Sequence, residues 1–100
     1  METLNFSYPA TQPVSQRAYV GVVGSGDLEI LLEPSCEQRA VVNVRTRFDG
    51  YGDVWKNILD RFFTAHDIAA TIEINDFGAT PGMVSMRLFQ ALETSNHEKN

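Results

Sequence analysis

From the N-terminus, Leu4, Phe6 and Tyr8 alternate with Thr3, Asn5 and Ser7, which predicts either a short edge strand or an ordered arm within residues 1–16. Pro9 and Pro13 interrupt any longer element there. In residues 17–23, Ala18, Val20 and Val22 fall on one face of a strand and Tyr19 and Val23 on the other. After Gly24-Ser25-Gly26-Asp27, the residues Leu28, Ile30 and Leu32 alternate with Glu29, Leu31 and Glu33. Two strand-like runs joined by a glycine-flanked tetrapeptide predict a β-hairpin, because glycine supplies the positive φ angles that tight hairpin turns require. A loop, EPSCEQ, then leads to a third such run, in which Val42, Val44 and Phe48 share a face opposite Asn43, Arg45 and Arg47.

The pattern then changes period. DGYGD has turn composition, and Asp53 is placed to cap a helix by accepting from a free backbone N–H. Beyond it, Val54, Trp55, Ile58, Leu59 and Phe62 occupy one half of a helical circumference, with Lys56, Asn57, Asp60, Arg61 and Thr64 on the other. That is a helix packed on a sheet. Ile72 and Ile74 among Thr71, Glu73 and Asn75 make a fourth strand. Thr80-Pro81 reads as a cap followed by proline at the first helical position, where its missing N–H is no loss. Val84, Leu88, Ala91 and Leu92 would line one face of that helix. Alternation of Val84, Met86 and Leu88 also permits a strand, and the helix is the preferred reading. The polar end is expected to fray over residues 95–100. The predicted order is β-β-β-α-β-α: an α+β fold with a four-stranded, mainly antiparallel sheet and two helices on one face.

Composition narrows the function classes. One hundred residues with 43% hydrophobic and 21% charged content suit a single globular domain spanning 1–100. Thirteen acidic against eight basic residues give a net charge of -5 without a basic run, which argues against nucleic acid and suits partners with basic docking surfaces. A lone cysteine, Cys36, cannot form an intrachain disulfide and points to a reducing compartment. No apolar run approaches the roughly 20 residues that cross a bilayer, so no membrane association is expected. The start lacks a basic segment followed by an apolar core, so a cytoplasmic location is expected.

Catalysis within this chain finds little support. A serine nucleophile needs a base within reach, and the candidates His66 and His97 sit at a helix end and in the tail. Two histidines and one cysteine, widely spaced, make no zinc site. The glycine-rich run Gly21–Gly26 fits neither phosphate-binding fingerprint, and both would need a helix where LEILLE reads as a strand. Asp76-Phe77-Gly78 is better explained as a turn than as a magnesium motif. Cys36, between Glu33 and Glu37, lacks neighbours that would favour its thiolate. No catalytic residue and no metal ligand is assigned. Ser25 remains: it is either an ordinary turn residue or an attachment point. At a hairpin tip, with Gly24 and Gly26 leaving room for a modifying enzyme, it would hold the base of a flexible arm steady.

The segment VGVVGSGDLEILLEP, residues 20–34, closely resembles the modification-site region of malonate decarboxylase acyl carrier subunits. Ile74-Asn75-Asp76-Phe77-Gly78-Ala79-Thr80-Pro81-Gly82 is also similar to that family, and the likeness runs from about residue 17 to 93. A weaker likeness extends to citrate lyase carrier subunits, which share a Ser-Gly-Asp site and an Asp-x-Gly-Ala turn. The resemblance implies that Ser25 is esterified through a phosphodiester to a phosphoribosyl-dephospho-coenzyme A group, unlike the phosphopantetheine-on-helix arrangement of fatty-acid carriers. It implies an arm whose thiol carries acetyl and malonyl between a transferase subunit and a decarboxylase subunit, and a holo-carrier synthase that installs the arm. Gly24, Gly26 and Asp27 would shape the site. A citrate-lyase-type carrier and a cofactor-free interaction domain are the alternatives.

Overall fold

Alternation along the strands becomes, in space, a sheet with one dry face and one wet face. The computed structural model describes residues 1–21 and 28–96. Among them the order is β1 (Glu2–Pro9), β2 (Ala18–Gly21), β3 (Leu28–Pro34), β4 (Arg39–Thr46), α1 (Gly52–Ala65), β5 (Ala70–Asp76) and α2 (Pro81–Asn96). The strands form one sheet in the order β1-β4-β5-β3-β2. It is mainly antiparallel, as expected, with β4 and β5 the parallel pair. That pair is parallel because α1 carries the chain back from the end of β4 to the start of β5, a crossover that parallel neighbours require.

The sheet has five strands where four were expected, and the extra one is β1. The Leu4, Phe6, Tyr8 alternation is therefore an edge strand, paired antiparallel with β4 from Glu2↔Thr46 to Pro9↔Arg39. Leu28, Ile30 and Leu32 of β3, Ala40, Val42 and Val44 of β4, and Ala70, Ile72 and Ile74 of β5 are buried. They meet Trp55, Leu59 and Phe62 of α1 and Val84, Leu88, Ala91 and Leu92 of α2 in a common core. Each large side chain so buried contributes about 1.5–3 kcal/mol of hydrophobic stabilisation. On the other face a row of Asn5, Asn43, Glu73, Leu31 and Tyr19 crosses all five strands in register. Asn5, Tyr19 and Glu73 in that row are exposed.

Three local expectations need correction. Phe48 does not continue the face of Val42 and Val44: β4 ends at Thr46, and Phe48 stands beyond it, half exposed. Asp53 is not the cap of α1, which begins at Gly52 after Tyr51, with Trp55 N–H donating to the Tyr51 carbonyl at 3.0 Å. Its carboxylate lies in the first turn, where it still complements the helix dipole. The polar end is helical through Asn96, with Ser95 fully buried, so residues 95 and 96 are not frayed, while residues 97–100 lie outside the described residues. The predicted start of α2 holds: Thr80 Oγ1 accepts from Met83 N–H at 3.2 Å, and Pro81 is the first helical residue.

Candidate functional site

Ser25, together with Val22, Val23, Gly24, Gly26 and Asp27, lies outside the described residues, as does His97. What surrounds the segment is defined. β2 and β3 pair antiparallel up to Gly21↔Glu29, two residues that each lie four positions from Ser25 in the sequence. The end of this pair is braced by the Glu29 carboxylate. Tyr19 OH donates to Glu29 Oε2 at 3.0 Å, and Asn75 Nδ2 donates to Glu29 Oε1 at 2.9 Å, so one side chain ties β2, β3 and β5. The hydrogen bond to Glu29 also raises the Tyr19 phenol above its ordinary pKa. Glycine is needed at position 21, since a Cβ there would sit 2.8 Å from Glu29 Cβ and 2.9 Å from Tyr19 OH.

One strand further in, Leu28 pairs with Asp76. Asp76 is a buried carboxylate with its hydrogen-bonding capacity engaged. Oδ1 accepts from the backbone N–H groups of Gly78 at 3.0 Å and Ala79 at 2.9 Å, while Oδ2 accepts from Thr46 Oγ1 at 2.8 Å. Thr46 Oγ1 in turn accepts from Phe48 N–H at 3.2 Å. Gly78 has φ +133, a conformation side chains rarely adopt, and the Phe48 ring packs against it. Asp76-Phe77-Gly78-Ala79 is thus a hydrogen-bonded turn, the role expected of it.

Above this turn, where β4 and β5 give way to α1 and α2, opens a cleft of about 350 Å³. Thr46 and Asp76 belong to its lining, and its walls are Phe48, Tyr51, Val54, Trp55, Ala79 and Pro81. Phe48, Tyr51 and Val54 retain 48%, 52% and 37% exposure, so the mouth is an apolar, partly aromatic surface. Beside it the Arg47 guanidinium lies 5.6 Å from the centroid of the Phe77 ring. Because Asp76 is the partner of Leu28, the cleft opens at the end of the sheet where residues 22–27 join β2 to β3.

The other candidates lie elsewhere. Cys36 is exposed just after Pro34, at the opposite end of β3. His66 closes α1, its ring 4.8 Å from that of Phe62. Among the described residues no group of three or more histidine, cysteine or carboxylate side chains is placed to hold a metal, and no helix is long and apolar enough to cross a membrane. Sequence reading missed the cleft. Its one visible signal is Tyr51, a large aromatic residue inside the turn-like DGYGD.

Residues 15–95 match the family described as malonate decarboxylase delta subunit (MdcD). A malonate decarboxylase acyl carrier protein of Azotobacter vinelandii is 52% identical over 94 residues, covering 93% of this chain and 95% of that relative. Its counterpart in Pseudomonas aeruginosa is 50% identical over 99 residues, covering 98% of this chain and 100% of that one. The fold is similar to a chain in the crystal structure of a Pseudomonas malonate decarboxylase hetero-tetramer in complex with malonate. The TM-score is 0.86 and the identity 47%, over 94% of this chain and 98% of that one. The matched span includes Ser25, the strands that flank it and the Asp76 turn, and the chain belongs to the malonate decarboxylase acyl carrier (delta) subunit family.

Proposed function

We propose that this chain is the carrier subunit of a malonate decarboxylase, with Ser25 as the attachment point of a phosphoribosyl-dephospho-coenzyme A group through a phosphodiester. The observation that carries the proposal is the family match over residues 15–95, which takes in Gly24-Ser25-Gly26-Asp27 between two paired strands. Bound there, the group supplies a terminal thiol that carries acetyl or malonyl as a thioester.

The residues present suit such a group. The register from Ala18↔Leu32 to Gly21↔Glu29, braced by Tyr19 and Asn75 on Glu29, fixes the two points from which residues 22–27 spring. A tether rooted in a stiff sheet raises the local concentration of its free end at each partner site. The described residues place no imidazole at that end, since His66 sits at the opposite end against Phe62. The Ser25 hydroxyl then depends for activation on the holo-carrier synthase that installs the arm. The chain itself is non-catalytic: its partners are a transferase subunit, where acetyl is exchanged for malonyl, and a decarboxylase subunit, where carbon dioxide is lost and the acetyl form returns. A hetero-tetramer containing a similar chain supports assembly with such subunits.

Intact-mass measurement of the chain co-produced with its synthase tests the reading. Wild type is expected to gain the mass of the arm, and Ser25→Ala to gain none while keeping its fold, since surface substitutions away from packing usually change stability by no more than about 0.5 kcal/mol. An unmodified wild-type mass would reject the attachment.

A further inference from the structure

We infer that the cleft walled by Phe48, Tyr51, Val54 and Pro81 seats the nucleoside of the Ser25 arm, leaving the thiol-bearing end free to travel; this rests on the attachment proposed above. Position is the first support. Leu28 pairs with Asp76 in the cleft lining, and neighbouring strands lie about 5 Å apart, so the strand that resumes three residues after Ser25 starts beside the cleft. In the proposed arm the adenosine is joined to the serine through the phosphoribosyl unit alone. It is therefore the large group nearest the anchor, and the thiol is the most remote.

Chemistry is the second support. A purine presents a flat π-face that stacks on aromatic side chains whatever its hydrogen-bonding edge does. Phe48 and Tyr51 stand at the mouth of the cleft half exposed, an arrangement that burial in the core does not explain. The polar groups of the lining do not oppose an apolar guest, because Asp76 and Thr46 are engaged with each other and with the backbone. Arg47, beside Phe48 and stacked on Phe77, forms no ion pair among the described residues and is available to a phosphate of the arm. A protein partner could also cover the exposed rings. The adjacency to the anchor and a cavity of about 350 Å³ favour the tethered nucleoside.

The test is an isotope-filtered NMR measurement on labelled carrier bearing an unlabelled arm, after intact mass has established that the arm is present. The expected result is cross-relaxation from adenine H2 and H8 to the rings of Phe48 and Tyr51 and the methyls of Val54. Amide shifts at Gly78 and Ala79 should also move relative to the unmodified chain. Val54→Asp adds a negative charge in the first turn of α1, where the helix tolerates it. At the same modified mass, that variant should lose the cross-relaxation to Phe48 and Tyr51. The inference is overturned if a fully modified carrier shows shift changes confined to residues 22–31, or if Val54→Asp keeps the cleft signals. It is likewise overturned if those signals move only when partner subunits are added, which would make the cleft a protein-docking site. A wild-type mass without the arm would instead reject the attachment itself, and this inference with it.

Discussion

At the end of the sheet where β5 begins, the chain closes over itself, whereas at the end where β5 finishes it leaves aromatic surface uncovered. At the first end, residues 10–17 form a strap. Ala69 N–H donates to the Gln12 carbonyl at 2.7 Å, and the Ser95 carbonyl accepts from Gln16 N–H at 3.0 Å and Ser15 Oγ at 2.6 Å. Val14 tucks into the core, and Asp67 accepts from the backbone and side chain of Thr11. At the second end, Phe48, Tyr51, Val54 and Phe77 remain exposed around a cleft, although the turn beneath them is held by hydrogen bonds to Asp76. The contrast separates two uses of apolar side chains. The first end ties its apolar side chains under the strap, with Phe89 beside His66 the half-exposed exception, and the other holds a cluster of them in the open around the Asp76 turn, as a binding surface requires.

That comparison can be broken at its rigid base first. Asp76→Ala strips an acceptor from the buried Thr46 hydroxyl and from two partly buried backbone N–H groups. Leaving such donors unpaired is expected to destabilise the chain by about 3 kcal/mol, read as a lower urea midpoint at unchanged slope. A loss under 1 kcal/mol would mean that the turn does not support that end. Next in size is the strap: Val14→Ala removes two buried methyl groups, and at about 0.8 kcal/mol for each it should lower stability by about 1.5 kcal/mol without altering the cleft.

Acid should sharpen the difference further. Asp67 is held below the usual carboxylate range by the hydrogen bonds from Thr11, and Asp60 by those from Lys56 and Tyr8. A carboxyl whose folded pKa is depressed stabilises the native state fully above its unfolded value, about 3.9 for aspartate, and that stabilisation is lost as pH falls through the folded value. Urea midpoints should therefore be flat above that point and decline below it. Asp67→Asn should flatten part of the decline, and Asp60→Asn a further part. The smallest effect is expected at the open rim. Tyr51→Ala should change stability by no more than about 0.5 kcal/mol, because a half-exposed ring outside the core gives up little on truncation. A larger loss would show the rim to be structural.

Much of this was legible in the sequence, for identifiable reasons. The buried faces of β3 and β5 follow strict two-residue alternation, α1 follows an apolar spacing that a helix alone satisfies over its length, and α2, whose start also allowed a strand, is the helix preferred for it. Asp76 was readable as a turn residue because a short carboxylate with glycine two residues on satisfies its own backbone. β1 was ambiguous, since an edge strand and a free arm show the same alternation until β4 is known to lie beside it. Phe48 was misplaced because periodicity cannot reveal where a strand stops pairing. The cleft was invisible for a stronger reason: residues from the ends of β4 and β5 and the starts of α1 and α2 meet only after the sheet has formed. At the site itself, Ser25 is marked by its flanking glycines and by its resemblance to a known modification region, not by any catalytic partner.

The most direct measurement is site-localising mass spectrometry on the tryptic peptide spanning residues 18–39, which holds Ser25, Ser35 and Cys36 together. The account predicts that fragments containing residue 25 carry the full mass of the arm and that those limited to residues 28–39 carry none. Added mass on the fragments bearing Ser35 or Cys36, with Ser25 unmodified, would contradict it.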